Sequence, residues 1–143
     1  MKNHLQGLNL VDLLSERHLQ LRRKVNTQWH ERGMGNINQT ESHMLSIIEK
    51  ESVTIAESAR KMNFTRQAAH KCAQGLIEKG FIDFIRNNQR DKSLILTEKG
   101  KNYCSDTLLI KHRIEKEIAE KIGQDNLILI KNLLQTDWYD TSN

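Results

Sequence analysis

The chain has 143 residues, 37% hydrophobic and 28% charged, with seven glycines, no proline, two cysteines and a formal net charge of +4. That length suits one domain, or one small core with appended helices, and the missing prolines leave long helices unbroken. No apolar run reaches the length of a membrane span, and the cysteine spacing fits neither a disulfide framework nor a zinc finger.

Residues 8–31 read as one long helix. Val11, Leu14, His18, Leu21, Val25 and Trp29 recur at spacings of three and four, which puts them on one stripe, widened by Leu10 and Leu13. Gly33, Met34 and Gly35 supply its stop. At 1.5 Å per residue such a helix spans roughly 36 Å, long for a domain of this size, so half of it is expected to pack outside the compact core. A second helix starts after Asn38, with Glu41 placed to complete a capping box, and buries Met44, Leu45, Ile47 and Ile48 before ending near Lys50. Thr54 caps a short third helix through Met62, with Ile55, Ala59 and Met62 at helical spacing. Asn63-Phe64-Thr65 breaks the chain, and Thr65 caps a fourth helix running to about Lys79, followed by Gly80 as a left-handed stop.

Two β-rich runs follow, Phe81–Arg86 and Ser93–Thr97, joined by the polar segment Asn87-Asn88-Gln89-Arg90-Asp91-Lys92. They predict a hairpin with a cationic tip. Glu98-Lys99-Gly100 opens a second long helix to about Ile122, with Tyr103, Ile110, Ile114 and Ile118 along one side. After Gly123, Asp125 is placed to cap a last helix through Trp138, whose stripe is Leu127, Ile130, Leu134 and Trp138.

The charge is not evenly spread. Residues 1–51 carry seven basic and six acidic side chains, residues 52–100 nine and five, and residues 101–143 six and seven. The whole excess lies in the middle third. Either this is a solvated basic surface or it is a local face for a polyanion. The predicted elements favour the second. Two helices, a tight turn, another helix and a hairpin make a winged helix-turn-helix, so the fold class is mainly α with a small β-hairpin wing. The fourth helix divides sharply. Ala69, Cys72 and Ala73 allow close packing on one side, while Thr65, Arg66, Gln67, His70, Lys71 and Gln74 form a hydrogen-bonding stripe on the other. Such a stripe suits a helix in a major groove of double-stranded DNA, with Thr65 at the helix N-terminus placed for a phosphate. Arg90 on the hairpin suits a narrow minor groove, with Arg86 and Lys92 flanking it on phosphates.

From about Leu8 to Trp138 the chain resembles MarR-type transcriptional regulators. The resemblance rests on Thr40-Glu41-Ser42-His43-Met44-Leu45, on Ile55-Ala56-Glu57-Ser58-Ala59-Arg60-Lys61-Met62, on Thr65-Arg66-Gln67-Ala68-Ala69 and on Leu76-Ile77-Glu78-Lys79-Gly80-Phe81-Ile82. Leu96-Thr97-Glu98-Lys99-Gly100, closing the wing, is the strongest segment. In the family's wing element, Asp-x-Arg, this chain has Asn88-Gln89-Arg90, keeping the arginine and losing the aspartate.

The resemblance implies a single domain over residues 1–143: a DNA-binding lobe at 38–99, and flanking dimerisation helices at 8–33 and 100–138 that interlock in a homodimer. It implies a cytoplasmic repressor on a near-palindromic operator, and a small-molecule effector lodged near Trp29, His30, His43, Met44 and His112. Trp29 and Met44 read equally well as core. Some relatives bind zinc near these positions, but here His112 is followed four residues later by Lys116 rather than a second histidine, so neither metal nor cofactor is expected. Peroxide sensing needs a cysteine near the start of the first helix, and none precedes Cys72. Cys72 falls on a packing face, and Cys104 is expected to be the more accessible thiol. No phosphate loop, nucleophile elbow or carboxylate pair points to an enzyme. The competing class is a helical protein-interaction module without DNA.

Overall fold

A computed structural model describes residues 3–31, 37–86 and 92–140. Its elements are α1 (Leu10–Glu31), α2 (Gln39–Lys50), α3 (Ile55–Met62), α4 (Arg66–Glu78), β1 (Ile82–Arg86), β2 (Lys92–Leu96), α5 (Glu98–Ile122) and α6 (Gln124–Gln135). This is a mainly helical chain with one antiparallel hairpin, as the sequence predicted. The Gly33-Met34-Gly35 stop and the hairpin tip with Asn88 and Arg90 lie outside the described residues. The chain divides into two compact units, Met34–Leu108 and the pair Met1–Gly33 with Leu109–Asn143.

In the unit Met34–Leu108 each helix starts where a side chain can satisfy its free amides. Asn38 accepts from the Glu41 amide at 2.8 Å while the Glu41 carboxylate accepts from the Asn38 amide at 3.1 Å. Thr54 and Glu57 repeat this reciprocal cap on α3, and Thr65 accepts from the Ala68 amide at 3.0 Å on α4. The turn between α3 and α4 is made by Asn63 at φ 56, a left-handed residue whose amide bonds back into α3. Gly80, at φ 84, makes the corner after α4, where a side chain would be strained. The hairpin pairs Ile82 with Leu96 through to Arg86 with Lys92. A bridge the sequence did not announce adds Val53, whose carbonyl accepts from the Leu94 amide at 2.6 Å. Met44, Leu45, Val53, Ala69, Ala73, Leu76, Ile82 and Leu94 fill the core.

Thr97 was expected in the second strand but leaves it. Its hydroxyl accepts from the Gly100 amide at 3.1 Å, capping α5, and donates to the Gly80 carbonyl at 2.6 Å.

In the other unit, Asn9 accepts from the Asp12 amide at 2.9 Å and so begins α1. Exposed polar pairs link the helices: Lys24 with Glu117 at 3.2 Å, Arg113 with Gln28 at 3.3 Å, and Lys131 with Glu115 at 3.2 Å. Val25, Trp29, Ile110, Ile114 and Leu127 are buried. Other members of the predicted α1 stripe and the apolar face of α6 are open: Val11 is 73% exposed, Leu133 54% and Leu134 50%. On α6 the exposed apolar residues Ile128, Leu129, Ile130, Leu133 and Leu134 lie on more than one side of the helix.

Two expectations for α6 are corrected. Gly123, not Asp125, is the N-cap, and no side chain caps there; Asp125 sits within the first turn, where the helix dipole still favours a carboxylate. The helix ends at Gln135 instead of Trp138, because Thr136 turns extended. The Leu133 carbonyl there accepts from both the Thr136 amide at 3.3 Å and the Trp138 indole N–H at 2.9 Å.

Candidate nucleic-acid interface

Helix α4 is held by residues chosen for closeness. Ala69 and Ala73 are wholly buried, with Cys72 and Leu76 beside them. Gly75 adds to this, since a Cβ there would lie 3.0 Å from a Glu41 carboxylate oxygen. That carboxylate is itself buried and accepts from the Lys79 ammonium at 2.7 and 3.0 Å, tying α2 to the C-terminal end of α4. Sequence reading gave Glu41 only its capping role and missed the bridge to Lys79. The signal was the small residue Gly75, one turn before Lys79.

The opposite side of α4 is open. Arg66, Gln67, His70, Lys71 and Gln74 are all exposed, and at 3.6 residues per turn they share an arc of about 140°. The sequence expected these side chains on one surface, and the structure brings them there. Thr65 is exposed as well, with its oxygen already accepting the Ala68 amide, so its hydroxyl proton remains to donate.

At the loop end of the hairpin ladder Arg86 and Lys92 face each other across the strands, both exposed, with the Lys92 ammonium 5.6 Å from the Phe84 ring centroid. Two cations directly opposite on a ladder repel, and an anion between them would relieve the repulsion. Arg60, exposed near the end of α3, is a further cation that sequence reading left unassigned.

The wing is anchored by the Leu96–Gly100 segment. The Thr97 amide donates to the Phe81 carbonyl at 3.0 Å. The Lys99 ammonium donates to the Lys79 carbonyl at 2.7 Å and lies 4.7 Å from the Phe81 ring centroid. Phe81 in turn packs edge-on against Tyr103 at 5.3 Å. Gly100 lies directly against the Phe81 carbonyl.

Burial, aided by the Glu41 charge and opposed by Lys79, pushes the Cys72 thiol up to about 11. Glu51 is held below the usual carboxylate range by its hydrogen bond to Lys61 and that residue's charge. Cys104 is as buried as Cys72, at 8% exposure each, which corrects the expectation that it would be accessible. It faces inward beside Tyr103 in the packed first part of α5.

Of the residues expected near an effector, Trp29 is 5% exposed and Met44 wholly buried. His30, His43 and His112 are exposed, His43 in the unit Met34–Leu108 and the other two in its counterpart. A shallow cleft of about 320 Å³ lies along α1, lined by Gln20, Arg23, Lys24, Thr27, Gln28, Glu31 and Glu117. Among the described residues no group of three or more metal-ligating side chains converges, and no helix is long and apolar enough to cross a membrane.

No model of a known protein family matches the chain. Among curated proteins it is similar to the HTH-type transcriptional regulator TcaR of Staphylococcus aureus (strain Newman), 23% identical over 103 residues that cover 69% of this chain and 68% of TcaR. Among solved structures it superimposes on a MarR family protein from Bacillus stearothermophilus with a TM-score of 0.75 at 15% identity, covering 94% of each chain. It also matches S. aureus MepR in a DNA complex, with a TM-score of 0.69 at 15% identity over 90% of this chain and 94% of MepR.

Proposed function

We propose that this chain, which has the winged helix-turn-helix fold of the MarR-family regulators, is a sequence-specific DNA-binding transcriptional regulator that works as a homodimer. The observation that carries the reading is the division of α4: small residues buried on one side and Arg66, Gln67, His70, Lys71 and Gln74 exposed together on the other. Medium-length donors and acceptors on one open helix face match what base edges in a major groove present. The cation pair Arg86 and Lys92 at the loop end of the wing's ladder adds a place for phosphate, with Arg90 assigned to the minor groove. A fold-mate, MepR, has been solved with DNA.

Dimerisation is supported by the apolar side chains left open on α1 and α6. Leu10, Val11, Leu129, Leu133 and Leu134 are all half exposed or more, and a soluble monomer rarely shows so many together. The flanking helices at 8–33 and 100–138 then serve as the interlocking part of a single functional domain. Two-fold symmetry sets two copies of α4 about 34–36 Å apart, one turn of duplex, and calls for a near-palindromic operator. Repression by covering a promoter, in the cytoplasm and under the control of a small effector, completes the proposal. No catalysis is assigned.

The test is selection of bound fragments from genomic DNA, followed by gel shifts across a salt series. The expected result is a near-palindromic motif whose affinity falls steeply with salt. Binding without sequence preference or salt dependence would instead support a protein-interaction module.

A further inference from the structure

We propose that the ion pair of Glu41 and Lys79 positions α4 for DNA recognition: it fixes the direction in which the helix is presented, so that its loss lowers operator binding and leaves non-specific binding as it is. This rests on the DNA-binding reading above.

The geometry comes first. The Glu41 carboxylate serves two helices at once. One oxygen accepts from the Asn38 amide at 3.1 Å, closing the start of α2, and both oxygens accept from the Lys79 ammonium, at 2.7 and 3.0 Å. The Glu41 side chain is only 5% exposed. Gly75 makes room for it, since a Cβ there would stand 3.0 Å from the carboxylate Oε2. Lys79 is the C-cap of α4, and its own carbonyl accepts from the Lys99 ammonium, in the first turn of α5, at 2.7 Å. The end of α4 is thus gripped from α2 through a side chain and from α5 through the backbone. The helix dipoles favour the same pairing, with the carboxylate in the first turn of α2 and the ammonium at the end of α4.

The consequence for recognition comes second. Ala69, Cys72, Ala73 and Leu76 hold α4 by apolar contact, which is non-directional and resists separation more than turning. The charge-assisted hydrogen bonds at Lys79 are directional. Gln67 lies about 18 Å along the helix from Lys79, so a turn of about 5° shifts one against the other by about 1.5 Å. Hydrogen bonds to base edges hold only between about 2.7 and 3.2 Å and do not survive such a shift. Phosphate contacts from long cationic side chains follow it.

A buried ion pair is a weak source of stability, because desolvation offsets the attraction, and replacing both partners by uncharged groups of similar volume is often neutral. Direction can therefore be separated from stability by experiment.

The experiment uses the full-length protein, a duplex recovered by the genomic selection and a scrambled duplex of equal length, well below the melting temperature of every variant. Glu41→Gln keeps an acceptor for the Asn38 amide and removes the anion facing Lys79. Lys79→Met keeps a long side chain and removes the cation. Lys79→Met alone should melt lower, since it leaves the carboxylate buried without its cation, while the double variant Glu41→Gln/Lys79→Met should melt near wild type. All three should bind the selected duplex about ten- to hundredfold more weakly, the loss of a base contact in each half-site. On the scrambled duplex their affinity and salt slope should match wild type. A double variant that discriminates the two duplexes as well as wild type overturns the proposal. So does an equal loss on both duplexes with a reduced salt slope, which would make Lys79 a direct phosphate contact. If Lys79→Met does not fold, Glu41→Gln decides by the same comparison. Failure of wild type to prefer any duplex removes the DNA-binding reading itself.

Discussion

Replacing Gly100 by alanine tests whether the wing is held by a backbone contact at the start of α5. A Cβ at this position would lie 3.1 Å from the Phe81 carbonyl carbon and 3.2 Å from Leu96 Cδ2, with the carbonyl oxygen closer still. The carbonyl cannot swing away freely. It accepts from the Thr97 amide at 3.0 Å, and the adjoining Gly80 carbonyl accepts from the Thr97 hydroxyl at 2.6 Å. Relief of the overlap costs about 1–3 kcal/mol of packing strain, and loss of the two hydrogen bonds about 1 kcal/mol each. The gain in helix propensity returns about 1 kcal/mol. The net loss is about 2–4 kcal/mol, which moves a urea midpoint down by roughly 1–2 M for a protein of this size. Protein concentration must be fixed in the comparison, because the stability of the proposed dimer would depend on it. Gly75→Ala is the control. Its Cβ would meet the Glu41 carboxylate at 3.0 Å, a side-chain group held by Lys79 and the Asn38 amide, so a loss of about 1–2 kcal/mol, smaller than that of the backbone overlap at Gly100, is expected. A Gly100→Ala protein as stable as wild type, or one no worse than Gly75→Ala, would refute the role given to this contact.

Three further outcomes are expected. Leu133→Arg should weaken the proposed dimer by about a hundredfold in sedimentation equilibrium, since a two-fold interface feels one substitution twice; an unchanged dimer would place the interface elsewhere. The Cys72 thiol, raised from its ordinary 9.0 to about 11, should react with iodoacetamide at neutral to mildly alkaline pH about a hundredfold more slowly in the folded protein than in urea. Because the unfolded chain releases that proton first, the contribution to stability is complete below pH 9.0 and lost as pH rises toward 11, which a melting series in alkaline buffers would detect. Arg90→Ala should lower DNA affinity in a gel shift and leave the melting temperature unchanged; undiminished binding would remove the wing from recognition.

Much of the local structure was legible in the residues themselves. The caps at Asn38, Thr54 and Thr65, the turn at Asn63, the corner at Gly80 and the sidedness of α4 are all relations between neighbours three or four positions apart, and a helix turns such spacing directly into contact. The same reasoning misplaced the end of α6, where Thr136 turns extended and the Leu133 carbonyl accepts from its amide and from the Trp138 indole, a side chain beyond the helix. It also misjudged Cys104, whose burial follows from the packing of α5 and from no pattern near it.

Composition and periodicity determined the elements, their order and the chemistry displayed on α4, because those follow from local backbone and spacing. Tertiary structure alone decided where separate segments come within contact distance: Glu41 on Lys79 beneath Gly75, Val53 against Leu94, and Gly100 pressed on Phe81. Such contacts depend on how the elements are packed in three dimensions, and a hydrophobic pattern specifies which face is buried without specifying what it meets.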